Sequence, residues 1–225
     1  MNFISNLFPN VINKIPEFIK SFNQTMYMVG IPGVISLIFG MTFGVILIVT
    51  KKGGILENKV VFNILDKLVN TFRTIPFIIL LAALIPLTRK IVGTAIGTKG
   101  AIVPLIFGTV PLLSRQIETA LAEMDHGLIE AAQSMGNSPI EIIFRVYLKE
   151  SIPNIIRAIT ITTISLIGLT AMAGAIGGGG LGDFAIRYGH QRNQVDVTYA
   201  TVIVLVLLVS IIQGISNFII KKTTH

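Results

Sequence analysis

The sequence predicts an all-α polytopic membrane protein with five transmembrane helices, and three observations carry that prediction. Hydrophobic residues make up 52% of the chain and charged residues only 13%, against roughly 25% charged in an average soluble domain; mean hydropathy is +0.78. The charges gather between apolar runs long enough to cross a bilayer. The longest polar island, residues 125–150, reads as two short helices and a turn rather than as a span. At 225 residues the chain is one domain by length, and without cysteine it holds no disulfide and no thiolate-bound zinc. The net charge of +7 does not point to nucleic acid, because the basic residues sit at span ends, where they suit anionic lipid.

Residues 1–21 have no basic start, apolar core and cleavage site in succession, so they read as neither a signal peptide nor a span. Lys14, Pro16, Glu17 and Lys20 interrupt Ile12, Ile15, Phe18 and Ile19, which suits an amphipathic interfacial segment, with a poorly ordered one as the alternative. Residues 22–220 form the transmembrane domain, with spans at about 26–50, 60–87, 101–117, 152–176 and 197–220, and 221–225 form a short tail. The first span contains Gly40 and Gly44, a small-xxx-small spacing that permits close helix contact within the chain or with another copy. The second starts with Asp66, Lys67, Asn70 and Arg73, the last either snorkelling or marking an ion path, and Pro76 and Pro86 bend it near its ends. The third carries Pro104 and Pro111, and its helix runs on past Arg115 and Glu118 to the aqueous side.

The fourth span is rich in Thr and small residues, among which Met172 is the one large flexible group. It is a candidate gate, with ordinary packing as the alternative. Gly177–Gly182 matches Gly-x-Gly-x-x-Gly without the strand or the following Lys-Ser/Thr of a nucleotide site, so it reads as a flexible external turn. With the 125–150 loop inside, the inner segments hold eleven Lys and Arg (51, 52, 59, 67, 73, 115, 145, 149, 157, 221 and 222) against seven outside. That bias sets the amino terminus outside and the carboxyl terminus inside.

Within the polar island, Asp125 caps a first helix carrying Leu128, Ala131, Ala132 and Met135, and Gly136 supplies the left-handed residue that closes it. Ser138-Pro139-Ile140-Glu141 opens the second helix as a capping box with proline at its first position, and Ile140, Ile143, Phe144 and Tyr147 form its apolar stripe. The run Glu130-Ala-Ala-Gln-Ser-Met-Gly136, placed between the third and fourth spans and followed by Pro153, resembles the cytoplasmic loop of permease subunits of ATP-binding-cassette importers. One departure is Leu148-Lys149, where that family usually has Leu-Pro. Over about residues 22–220 the chain is most like the methionine importer permeases. The likeness is carried by Asn70-Thr-Phe-Arg-Thr-Ile-Pro-Phe-Ile-Ile-Leu-Leu81, Thr88-Arg-Lys-Ile-Val-Gly-Thr-Ala-Ile-Gly97 and Ala171-Met-Ala-Gly-Ala-Ile-Gly-Gly-Gly-Gly-Leu-Gly182.

The resemblance implies a type I importer permease fold in a prokaryotic cytoplasmic membrane. It implies a homodimer that binds two ATP-binding subunits at a coupling helix containing Glu130, Ala131, Ala132 and Gly136, with ATP and magnesium on those subunits and no cofactor on this chain. An external substrate-binding lipoprotein delivers methionine, as the L or D form or both; a different small amino acid or related solute is the alternative. The residues speak for the same class. The histidines His126, His190 and His225 lack ligand spacing, no nucleophile motif occurs, and the span cores hold no acidic relay. Energy for uphill transport therefore has to come from a partner. A membrane enzyme lacks its reactive constellation, while a scaffold accounts for the spans and leaves the polar island without a role.

Overall fold

The computed structural model describes residues 8–223, and among them the regular elements are all helical. In chain order these are α1 Pro9–Ile12, α2 Ile15–Thr50, α3 Lys59–Thr74, α4 Phe77–Ala83, α5 Ile85–Val92 and α6 Gly97–Ala122. There follow α7 His126–Ser134, α8 Pro139–Ile142, α9 Ile152–Ala173, α10 Gly180–Phe184 and α11 Val195–Thr223. α8, α9 and α10 run on as wider π turns over Ile143–Leu148, Gly174–Gly178 and Ala185–His190.

Four of these helices are long and apolar enough to cross a membrane: α2, α6, α9 with its π turn, and α11. The expected second span, 60–87, is three helices in succession. Ile75, the residue before Pro76, is forced into extended backbone (φ −77°, ψ 122°) and ends α3. Pro86 then sits in the first turn of α5, where its missing N–H is no loss, and Gly93 closes that helix in the left-handed region at φ 80°. The first span also differs from expectation. α2 begins at Ile15, so the last residues of the supposed interfacial segment belong to the spanning helix; Pro16 lies at its start and Pro32 is absorbed inside it. The remainder of that segment, residues 1–7, and the tail residues 224–225 with His225 lie outside the described residues.

The chain divides into two compact units, and the four long helices contribute to both. One unit draws on residues up to Gly33, Pro76–Ile106 and Thr163–Ile212. In it the glycine run is no loose turn. Gly177, Gly179 and Gly180 all have positive φ, and a Cβ on Gly174 or Gly182 would strike the backbone of Asp183 or Ala171. Gln24 Oε1 accepts from Gly180 N at 2.9 Å and Thr25 Oγ1 from Leu181 N at 2.8 Å, which pins the run to α2. Phe184 is fully buried and packs against Phe18 and Tyr188 with ring centroids 5.3 and 5.0 Å away. Asn10 donates its backbone and side-chain amides to Asp196 at 2.9 and 3.0 Å.

The other unit draws on Val34–Ile75, Phe107–Thr162 and the residues from Gln213. Its core joins Ile48 and Val49 of α2, Leu113, Ile117, Ala120 and Leu121 of α6, and Ile155 and Ala158 of α9. Here α2 and α6 run side by side in the same direction, with Gly40 against Leu113 and Gly44 against Ile117 four residues on in both helices. An added Cβ on Gly40 would lie 2.8 Å from Leu113 Cβ, and one on Gly44 would lie 2.6 Å from Ile117 Cβ and 2.8 Å from the Ser114 carbonyl. The small-xxx-small pair therefore serves a contact inside the chain. α9 is tied to α11 by the Thr160 and Ser216 hydroxyls, 2.7 Å apart.

Replacing Gly44 by Leu should cost about 3 kcal/mol, the upper end of ordinary overpacking, because backbone as well as side chain blocks it. Gly214→Ala on α11, where nothing lies within 4 Å of an added Cβ, should be neutral or slightly stabilising. Thermal denaturation of the two detergent-purified variants reads the contrast, and equal melting temperatures would count against the α2–α6 contact.

Candidate functional site

The polar island folds as an elbow of two capped helices. Asp125 is extended and its carboxylate accepts from Gly127 N at 2.8 Å, satisfying one of the free amides that begin α7. The helix ends in a Schellman turn. Gly136 N donates to Gln133 O at 3.0 Å and Asn137 N to Ala132 O at 3.2 Å, while Gly136 takes φ 77°. Nothing lies within 4 Å of a Cβ built on Gly136, so glycine is required there by conformation and not by space.

One residue on, the capping box opens α8. Ser138 Oγ accepts from Glu141 N at 3.4 Å, and the Glu141 carboxylate takes both Ser138 N and Ser138 Oγ at 2.9 Å. The backbone amide of Ser138, and then its hydroxyl, hold the exposed Glu141 carboxyl below the ordinary carboxylate range.

Two residues on each arm anchor this elbow. Ile129 and Ala132 from α7, and Ile142 and Tyr147 from α8 and its π turn, are buried in the core built by α2, α6 and α9. Burial pushes the Tyr147 phenol above its usual value. The faces divide differently from the expected stripes. On α7, Ala132 turns inward at 2% exposure while Leu128, Ala131 and Met135 face out together with Glu130. On the second arm Ile142 and Tyr147 are in, Ile143 is intermediate, and Ile140 and Phe144 are out. The reason is the widening after Ile142. A π turn brings residues five apart into register, so Ile142 and Tyr147 share a face that 3.6-residue spacing assigns to Ile143 and Tyr147.

What remains outside is an apolar surface on a polar loop. Met135, Ile140 and Phe144 are 75%, 67% and 65% exposed, and Leu128 45%. Rimmed by Glu130 and Gln133, these side chains have the composition of an interface centre and not of a solvated loop. Of the four residues expected to meet a partner, Glu130, Ala131 and Gly136 are exposed on this elbow, while Ala132 instead anchors it. Met172 belongs to the other compact unit. It lies in the last turn of α9 at 39% exposure, between the intermediate Ala171 and the buried Ala173, where α9 passes into the π turn at Gly174.

A second polar cluster in the same unit as the elbow escaped the sequence reading. Arg115 and Glu118, expected on the aqueous side, are half-buried and paired. Arg115 Nη1 donates to Glu118 at 2.5 Å, and Nη2 to Asp66 at 2.6 Å and Asn70 at 3.0 Å. The spacings Asp66–Asn70 and Arg115–Glu118 place each pair on one helix face, but neither says that the two faces meet.

Ser138→Ala should cost about 1 kcal/mol, the ordinary worth of such a cap, and admit protease between α7 and α8. Acid should act on the same bond. Because the folded pKa of Glu141 is lowered, its contribution is complete above the ordinary carboxylate range and disappears as pH falls through that lowered value. Proteolysis with an acid-active protease across that range, in wild type and Glu141→Gln, reads the effect, and a nicking rate independent of pH in the wild type would contradict it.

The chain matches known proteins along nearly its whole length. The family described as the binding-protein-dependent transport system inner membrane component matches residues 40–225. Over 202 residues the chain is 48% identical to the probable D-methionine transport system permease protein MetI of Vibrio cholerae, covering 90% of both. Over 212 residues it is 42% identical to the methionine import system permease protein MetP of Bacillus subtilis, covering 94% of this chain and 95% of that one. Among solved structures, a chain of the inward-facing MetNI methionine ABC transporter superposes with a TM-score of 0.91 at 40% identity over 95% of this chain and 99% of that one. An amino acid ABC transporter crystallised with histidines shares the fold, with a TM-score of 0.78 at 16% identity over 96% and 98% of the two chains. With its capped elbow held between apolar helices and a match over residues 40–225, this chain belongs to the binding-protein-dependent transport system inner membrane component family.

Proposed function

We propose that this chain is the permease subunit of an ATP-binding-cassette importer that carries methionine across the cytoplasmic membrane. The apolar outer face of the elbow is the observation that carries the reading: Leu128, Met135, Ile140 and Phe144 stand exposed on helices whose opposite faces are sunk in the core. A loop with no partner has no reason to hold four large apolar groups in water. The partner is the ATP-binding subunit, two copies serving a homodimer of this chain, with ATP and magnesium bound on those copies. Ala131 fits closely into a groove, Gly136 sets the angle between the arms, and Glu130 pairs with a basic residue at the rim.

Closure of the two ATP-binding subunits then moves the elbow, and with it α6 and α9, between two arrangements. The path for solute runs along the axis of the homodimer, since the helices of one copy are too few to enclose it. Methionine, L or D, is the solute favoured by the relatives' names, and an external lipoprotein delivers it. The amino terminus is external and Lys221-Lys222 internal, in keeping with the excess of basic residues on the elbow side. Met172 closes the path at rest, one flexible apolar side chain among small neighbours on α9.

Labelled L- and D-methionine uptake by cells with and without the chain tests the reading, with excess unlabelled amino acids as competitors. Glu130→Arg and Gly136→Asp should each abolish uptake while the protein remains inserted in the membrane. Normal uptake in both variants would leave only a scaffold. Met172→Ala should raise methionine leak from vesicles holding the whole complex, or its ATPase rate without substrate, and wild-type values of both would remove it as the gate.

A further inference from the structure

We infer that Arg115 is the positioning residue that makes α3 follow the elbow, gripping α3 at Asp66 and Asn70 so that movement of α6 is passed on to it. The inference rests on the importer reading above and names a transmission element within the chain.

α3 is poorly held by its apolar side. Val69 is its buried residue, while Val60, Val61, Ile64 and Leu68 are 67%, 40%, 65% and 46% exposed. It is jointed at its end, where Ile75 turns extended before Pro76. Two side-chain contacts join α3 to α6. Phe72 meets Phe107 with ring centroids 5.3 Å apart, and Asp66 and Asn70 meet Arg115. The two helices run antiparallel here, since the higher number on α3 pairs with the lower on α6.

The polar contact is built as a fork. One terminal nitrogen of Arg115 goes to Glu118 on its own helix and the other to Asp66 Oδ1 and Asn70 Oδ1 on α3. Asn70 Nδ2 donates to the second oxygen of Asp66 at 3.1 Å, which orients that carboxylate. Glu118 thus holds the guanidinium in place on α6, and Asp66 is held in place on α3. The Arg115, Asp66 and Glu118 side chains are 15–28% exposed, and Arg115 Nε is buried with no partner among the described residues, so the arrangement bears a desolvation cost that an apolar contact would avoid. What charge adds is register. Apolar ridges slide past one another by a turn, whereas a guanidinium fork engages its acceptors in one geometry.

Its position in the chain gives that register a use. α6 continues from Arg115 to Ala122, and Asp125 caps α7 directly after it. Leu113, Ile117, Ala120 and Leu121 on the same stretch of α6 share a core with Ile129 and Ala132 of the elbow. A displacement of α7 is therefore carried by α6 as a rigid rod, and α3 keeps its register with it while the fork holds, since the Phe72–Phe107 ring contact alone lets the two helices slide.

The test uses the whole complex, this chain with its ATP-binding subunits in vesicles, and measures solute uptake and ATP hydrolysis on the same sample. Wild-type uptake is the control, and its failure would count against the importer reading and not against the fork. Arg115→Gln and Asp66→Asn should each lower uptake per ATP hydrolysed about tenfold, within the usual range of coupling between sites. The double variant should be no worse than either single one, because both remove one interaction. The exchange Asp66→Arg with Arg115→Asp should recover part of the loss. Asn70→Ala removes only the bridging amide, and it carries the test if Arg115→Gln does not accumulate. Uptake and hydrolysis falling together in proportion, or singles whose losses multiply in the double, would overturn the assignment.

Discussion

The close approach of α2 and α6 at Gly40 and Gly44 is the contact on which the elbow's unit is built. In a bilayer there is little hydrophobic gain in bringing two apolar helices together, since lipid tails are as apolar as leucine. What holds α6 is shape, with Leu113 and Ile117 filling the places that two missing side chains leave on α2. Three consequences hang on the α6 so positioned. Its Leu113, Ile117, Ala120 and Leu121 form the bed for the elbow, its Arg115 reaches α3, and its end at Ala122 sets where α7 begins.

The elbow shows how a polar segment can be rigid and apolar on its outer face at once. Rigidity comes from local chemistry. The Asp125 cap, the Schellman turn at Gly136 and the Ser138–Glu141 box satisfy amides and carbonyls that would otherwise be free at three helix ends within a short stretch. Anchorage comes from Ile129, Ala132, Ile142 and Tyr147 on the inner side. With both supplied, Leu128, Met135, Ile140 and Phe144 are left exposed on the outer face. Such a piece is stiff enough to pass a push to the helices beneath it without first deforming, as the proposed coupling requires.

The two units use glycine for different ends. In the elbow's unit Gly40 and Gly44 give room for Leu113 and Ile117. In the other unit the run from Gly174 to Gly182 gives both room and backbone freedom, letting α9 reverse into α10 against Gln24 and Thr25. The run reads as loose in the sequence because glycine is permissive. It is tight in the fold because carbonyls and amides of neighbouring turns occupy the space that side chains would take.

The sequence by itself determined the helical class, the place of the elbow and all three of its caps, since these depend on residues within a turn of one another; of the five spans it predicts, four are long apolar helices and the second is three short ones. It also marked Pro76 and Pro86 as bends, where the structure has full breaks between helices. Tertiary structure alone decided which side of each elbow helix faces in. Ala131 and Ala132 are equivalent by composition, and only the core beneath them separates the exposed one from the buried one; the π turn after Ile142 then shifted the second arm's phase beyond the reach of a 3.6-residue rule. The Arg115 fork was hidden for the same reason. Asp66 and Arg115 are 49 residues apart, and no pattern in either helix states that the two faces meet.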